Sequence, residues 1–186
     1  MRVITGTARG RKLREPTGGA IRPTGDMVKE SMFSIIQFDI EGRRVLDLFA
    51  GTGQLGIEAY SRGALAVTFV DESIEAIRLI NENLRICQMQ ATVVRDNALS
   101  FISRCGNSEK FDLIFLDPPH GDPVMAEVLQ KIIKFDILSD GGIIICETER
   151  GFDMPDLKPP YFIGREYRYG RTKLTVCGKN TADAQA

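Results

Sequence analysis

Histidine occurs once in the 186-residue chain, at His120, and the four cysteines (Cys87, Cys105, Cys146, Cys177) lie far apart with no C-x-x-C pair. A zinc centre needs several nitrogen or sulfur ligands at close spacing, so no metal is expected. The same cysteine pattern lacks the framework of a small disulfide-stapled domain, and reduced thiols in a cytoplasmic protein are the expectation. No apolar run approaches the roughly 20 residues that span a bilayer. Residues 1–20 contain no apolar core of the kind a secretory signal requires.

What is present is ordinary in bulk: 43% hydrophobic and 26% charged residues, enough for one good-sized core. The net charge of −1 conceals an asymmetry. Residues 1–25 hold six basic side chains (Arg2, Arg9, Arg11, Lys12, Arg14, Arg22) against Glu15, a local charge of +5, so the remainder sums to −6. A second basic cluster comprises Arg165, Arg168, Arg171, Lys173 and Lys179, against Glu166. A basic arm on a mildly acidic body suits a polyanionic partner held locally; a solvated hairpin with basic edges would look the same.

Residues 2–14 read as a short β-hairpin or extended arm turning near Ala8-Arg9-Gly10, and "EPTGGAIRPTGD" as a connector. A helix is expected from about Asp26 to Phe38, capped by Thr24 or Asp26, with Val28, Met32, Ile35 and Ile36 as its apolar stripe. Strands and helices then alternate. The strands are "RVLDLF", "AVTFVD", "TVVRD", "FDLIFLD" and "GGIIICETE"; the helices between them are "QLGIEAYSR", "IEAIRLINENLRIC", "ALSFISRC" and "PVMAEVLQKIIKF". That alternation means an α/β fold with a parallel sheet covered on both faces. Runs such as "LIFL" and "IIIC" are apolar on both sides, as buried parallel strands are. After Glu149 the rhythm breaks, and "YFIGREYRYG" and "RTKLTVCG" predict an antiparallel hairpin turning at Tyr169-Gly170. The expected organisation is an arm over 1–25, an α/β domain over 26–178 and a disordered tail over 179–186.

In an open parallel sheet, ligands bind beyond the carboxyl ends of the strands. The first strand delivers Asp47 and the loop "FAGTGQLG", in which Gly51, Gly53 and Gly56 spell G-x-G-x-x-G. The second ends in Asp71, placed to accept the hydroxyls of a ribose, and the third in Asp96-Asn97, suited to the edge of an adenine. Glycines and Asp71 fit either a nicotinamide dinucleotide or S-adenosylmethionine, since both carry adenosine. An acid at Asp47 would repel a pyrophosphate on the helix N-terminus, whereas a sulfonium cation favours it. Alternatively, Asp47 caps the loop's own amides. The fourth strand ends in Asp117-Pro118-Pro119-His120. Prolines have no N–H, so the Asp117 side chain and the Pro118 carbonyl form two acceptors able to hold an exocyclic amine. A flat side chain next in sequence can stack on the base that bears it. Such a base must be turned out of a helix or presented in a loop.

Taken together, these residues resemble the amino-methylating Rossmann-like methyltransferases. "RVITGTARGRKL", "IRPTGDMVKESMF", "VLDLFAGTGQLGIEA", "FDLIFLDPP" and "YRYGRTKLTV", in that order, resemble the RsmD-like bacterial guanine-N2 methyltransferases of small-subunit ribosomal RNA over roughly residues 1–178. The resemblance implies a Rossmann-like class I methyltransferase fold: a seven-stranded, mostly parallel sheet with a C-terminal antiparallel hairpin and a small N-terminal β-hairpin arm. It implies S-adenosylmethionine as cofactor, with Asp47, Phe49, Gly51 and Gly53 at the methionine end, Asp71 at the ribose, and Asp96 and Asn97 at the adenine. Asp117, Pro118, Pro119 and His120 would hold the target guanine, and Arg9, Arg11, Lys12, Arg14 and Arg22 would contact RNA phosphates.

The chain departs from the family at His120, where tyrosine or phenylalanine is usual. An imidazole stacks with less area but adds hydrogen-bonding and proton-accepting capacity. The implied partner is 16S rRNA, free or in assembled or partly assembled subunits, and a monomer with no membrane attachment is expected. Three alternatives share parts of the pattern: an N6-adenine methyltransferase acting on DNA or RNA, an NAD(P)-dependent oxidoreductase relying on the glycines, and a catalytically silent RNA-binding factor.

Overall fold

The computed structural model describes residues 1–16, 25–119 and 124–181. In chain order these form α1 (Asp26–Ile35), β1 (Arg44–Leu48), α2 (Gln54–Ser61), β2 (Ala66–Asp71), α3 (Ile74–Cys87), β3 (Thr92–Arg95), α4 (Ala98–Cys105), β4 (Phe111–Leu116), α5 (Val124–Phe135), β5 (Leu138–Glu149), β6 (Tyr161–Tyr169) and β7 (Thr172–Lys179). The strands make one seven-stranded sheet in the order β3-β2-β1-β4-β5-β7-β6. Strands β1 to β5 pair in parallel, while β7 runs antiparallel to both β5 and β6. This is the expected mostly parallel Rossmann-like sheet with its C-terminal hairpin. The strand order reverses between β1 and β4, which opens a crevice above their carboxyl ends.

Both faces are buried at the central strands β1, β2, β4 and β5, where side chains alternate between them with the period of two that strands impose, while the edge strand β6 is largely exposed. Val45, Leu113 and Phe115 face a core completed by α1, α2 and α3, with Phe33, Ile57 and Ile80 among its members. Leu46, Leu48, Ile114 and Leu116 face the other, completed by α4 and α5 through Phe101, Ile102, Val128 and Ile132. Local signals start the helices where expected. Ser73 accepts from the Ala76 amide at 3.3 Å to begin α3, and Asn97 accepts from the Leu99 amide at 3.0 Å to begin α4.

Some boundaries differ from the sequence reading. Helix α1 stops at Ile35, and Phe38, expected inside it, is 92% exposed. Asp26 does not cap α1; it is the helix's first residue, after an N-cap at Gly25 that offers no side chain. The other candidate cap, Thr24, lies outside the described residues. Strand β5 begins at Leu138, and the register shift between Phe111 and Leu113 takes up the extra length. The hairpin turn is Gly170-Arg171, since Tyr169 pairs with Thr172. Lys179, expected in the tail, is the last residue of β7, held by Asp136 at 2.8 Å and Asp140 at 2.7 Å.

The arm is docked on the body. Among its described residues, 1–16, an antiparallel bridge joins Arg2 and Lys12, and Val3, Ala8 and Leu13 are buried in the α1–α3 core. The fully buried Glu58 of α2 accepts from the amides of Ile4 (2.7 Å) and Thr5 (3.0 Å) and from Arg62 Nε (2.8 Å). Lys29 of α1, also fully buried, donates to the Arg2 carbonyl at 2.8 Å. Burial lowers the Lys29 pKa, and the nearby Glu58 carboxylate opposes that shift. No described helix is long and apolar enough to cross a membrane.

Candidate active site

The loop from β1 to α2 is built on three left-handed residues: Phe49 (φ 71°), Gly51 (φ 53°) and Gly53 (φ 77°). Two are glycines, for which this region is open; a bulky residue there is strained by about 1–3 kcal/mol. Gly56, third of the G-x-G-x-x-G set, serves packing: a Cβ there would lie 2.3 Å from Phe69 Cε1, so α2 rests directly on β2. A Cβ at Gly53 would meet Ile80 Cγ1 at 3.2 Å; Gly53 therefore supports the loop from below and does not line the cleft.

Asp47 is 2% exposed and points to the α2 side of the sheet, where its Oδ2 accepts from the Gly56 amide at 2.8 Å. Burial pushes its carboxyl up to about 8; the Gly56 bond opposes this, and the charges of Asp117 and Asp71 add to it. Asp71 closes the loop from the other side, accepting from the Gly51 amide at 2.8 Å and the Ser73 amide at 2.9 Å. The amides of Gly51 and Gly56, which a dinucleotide's pyrophosphate would use in this loop type, are thus already bonded to aspartates. A negative group is repelled here by Asp71, and by Asp47 once it ionises, and a cation is attracted.

Above this floor lies a cleft of about 890 Å³ lined by Asp47, Phe49, Gly51, Asp71, Asp96 and Asn97 and, at its other end, by Asp117, Pro118 and Pro119. The sequence-predicted residues from four strand ends are therefore brought together, except Gly53. His120 and Arg22 lie outside the described residues. Asn97 has a second duty: it caps α4, and its amide donates to Glu72 Oε2 at 3.1 Å. Asp96 accepts from the Asn97 amide at 2.9 Å and ion-pairs with Arg104. Asp117 is half-buried and Pro118 buried, while Pro119 is exposed at the rim.

Three charged cleft residues were not assigned to the site by the sequence reading: Glu72, Glu147 and Arg171, the last noted only as part of the C-terminal basic cluster. Glu147 carried the signal that exposed Asp47, an acid inside an apolar strand run ("IIICE"). Of the arm's basic residues, Arg9, Lys12 and Arg14 are exposed. Arg11 is committed to the C-terminal end of α3, donating to the Ile86 carbonyl and, at 3.1 Å, to Gln88 Oε1. Asn83 connects arm to cleft: its Nδ2 donates to the carbonyls of Arg14 (3.2 Å) and Thr52 (2.9 Å), and Thr52 lines the cleft. Among the described residues no group of three or more His, Cys, Asp or Glu is placed to hold a metal ion.

A family model described as conserved hypothetical protein 95 matches residues 1–178. A Bacillus subtilis relative named "Putative rRNA methyltransferase YlbH" is 37% identical, covering 96% of this chain and 99% of its own. Ribosomal RNA small subunit methyltransferase D of Haemophilus influenzae is 35% identical, covering 86% of this chain and 83% of its own. The solved structure of "Putative methyltransferase yhhF from Escherichia coli" superposes with a TM-score of 0.88 at 29% identity, covering 97% of this chain and 98% of the other.

Proposed function

From the premise that the chain belongs to the family described as conserved hypothetical protein 95, we propose that it methylates the exocyclic N2 amine of a guanine in small-subunit (16S) rRNA, using S-adenosylmethionine. The observation that carries this reading is the acid-floored cleft, with its loop amides bound to Asp47 and Asp71 and with Asp117-Pro118-Pro119 at its rim. The name of the Haemophilus influenzae relative supports the substrate class.

The donor set fits S-adenosylmethionine, which when bound supplies an activated methyl on a sulfonium. Asp71, whose two oxygens each accept one backbone amide, retains lone pairs for two ribose hydroxyls. Asp71 and Asp117 supply negative potential along the cleft, to which Asp47 adds as it ionises around pH 8. The Asp117 carboxylate and the Pro118 carbonyl accept the two amine protons and turn the nitrogen lone pair into the cleft. Asp117 is placed to take the proton released when the amine becomes methylated. Positioning and fixed charge carry most of the rate.

Changing Asp117→Ala leaves cofactor affinity within about threefold and lowers transfer by at least about 10²-fold. Near-normal turnover would contradict the assignment of Asp117. The D-P-P motif also suits an adenine N6 amine, and the methylated nucleoside distinguishes the two. Residues 1–25 act as an RNA-gripping arm on the catalytic domain over 26–178. The protein acts as a monomer in the cytoplasm, where its rRNA substrate lies.

A further inference from the structure

Six carboxylates line the cleft (Asp47, Asp71, Glu72, Asp96, Asp117, Glu147) and, among the described residues, one cation, Arg171. A polyanion bringing a base to such a cleft meets repulsion at its mouth, which a fixed cation there offsets. Arg171 sits in the two-residue turn between β6 and β7, and the turn is anchored. Its carbonyl accepts from the Arg150 amide at 2.8 Å, and the adjoining Thr172 pairs with Glu149 of β5. The backbone is therefore set by the sheet while the side chain is exposed. Its guanidinium makes no hydrogen bond or ion pair among the described residues.

Its neighbours in the same basic cluster differ. Lys173 is 4% exposed and bonded to the Phe152 carbonyl at 2.6 Å and to Glu166 at 2.8 Å. Lys179 is held by Asp136 and Asp140. Those two lysines tie the hairpin to the body. Arg171 does no such work, and it alone of the cluster lines the cleft.

We infer that Arg171 binds the backbone phosphate beside the target nucleotide while that nucleotide's base occupies the cleft. The β6–β7 turn is then a second RNA contact, separate from the amino-terminal arm. A planar guanidinium suits bidentate phosphate binding, and a rigid two-residue turn holds it in register with Asp117. The inference rests on the rRNA methyltransferase reading above.

The test compares wild type with Arg171→Ala, Arg171→Lys and Arg171→Glu. Binding to undermethylated small subunits is measured with S-adenosylhomocysteine present, across a salt series, alongside kcat and cofactor affinity. The Ala variant raises the Kd for subunits about tenfold, with cofactor affinity within about twofold. It also lowers the slope of log affinity against log salt by about 0.7–0.9, one phosphate's worth. Lys, which keeps the charge but not the bidentate fork, restores the salt slope and only part of the affinity, and Glu is weaker than Ala. A merely structural role would lower cofactor affinity in parallel and leave the salt slope unchanged, and that result overturns the inference. So does an unchanged Kd and slope in the Ala variant while wild type methylates the RNA. A wild-type protein that binds the cofactor but leaves rRNA unmethylated overturns the inference together with the function it rests on.

Discussion

Position 47 places a carboxyl on the buried face of the central strand, against the first turn of α2. The Gly56 amide supplies one good hydrogen bond at 2.8 Å, yet burial and two neighbouring aspartates still push the group up to about 8. A carboxyl whose folded pKa exceeds its unfolded value near 4 loses its favourable contribution as pH rises through the folded value. As pH rises from about 4 to 8, then, the ligand-free protein loses that contribution, and above about 8 it carries a buried ionised acid that a cationic ligand would offset. The variant Asp47→Asn keeps an acceptor for Gly56 and removes the charge. Its melting temperature without ligand at pH 8 exceeds that of wild type by about 5 °C. In wild type, the preference for S-adenosylmethionine over the uncharged-sulfur analogue S-adenosylhomocysteine grows as pH rises through about 8; in the variant it is flat. Calorimetric titration across pH 6–9 checks this, and a pH-independent preference in wild type would contradict the role given to Asp47.

The same residue marks what the sequence could disclose. An acid inside "VLDLF" is visible in one dimension, and it separated a sulfonium ligand from a pyrophosphate. Glu147 sends the same signal in "IIICE" but needs the β5 register to bring it to the cleft. Arg11 looked like its neighbours; only the end of α3, 75 residues on, shows that its guanidinium is engaged there.

Among the elements, helices α3 and α4 were legible and run over the expected residues, although their caps, Ser73 and Asn97, were not named in the sequence reading, and the cap that was named, Asp26, is instead the first residue of α1. The arm was not legible as docked, because what holds it is remote. Glu58 reaches Ile4 and Thr5 across more than 50 residues, and it reads in sequence as an ordinary exposed helix acid. Replacing it by alanine leaves two amides without their acceptor and the buried Lys29 without the carboxylate that acts on it most strongly. The expected cost is about 2–4 kcal/mol. Amide exchange at Ile4 and Thr5 should rise well above that in β1 and β4. Equal protection in the variant and wild type would show that apolar contacts of Val3, Ala8 and Leu13 suffice to hold the arm.

At the scale of the whole molecule, a parallel sheet gathers five strand ends above one crevice. The hairpin β6–β7 closes one flank with Arg171, and the arm approaches the other through Arg14 and Asn83. Acids floor the cleft where a cationic cofactor binds, and the exposed Arg171 lies at its edge. The distribution +5 on residues 1–25 and −6 on the rest suits a polyanion held by the arm and a solvated basic hairpin alike.

The most direct measurement offers labelled S-adenosylmethionine and the wild-type protein to undermethylated small subunits and to protein-free 16S rRNA, then digests the RNA and identifies the labelled nucleoside. The structure and its relatives predict label in N2-methylguanosine at one position. Label in N6-methyladenosine, or no transfer to either RNA by a protein that binds the cofactor, would contradict it.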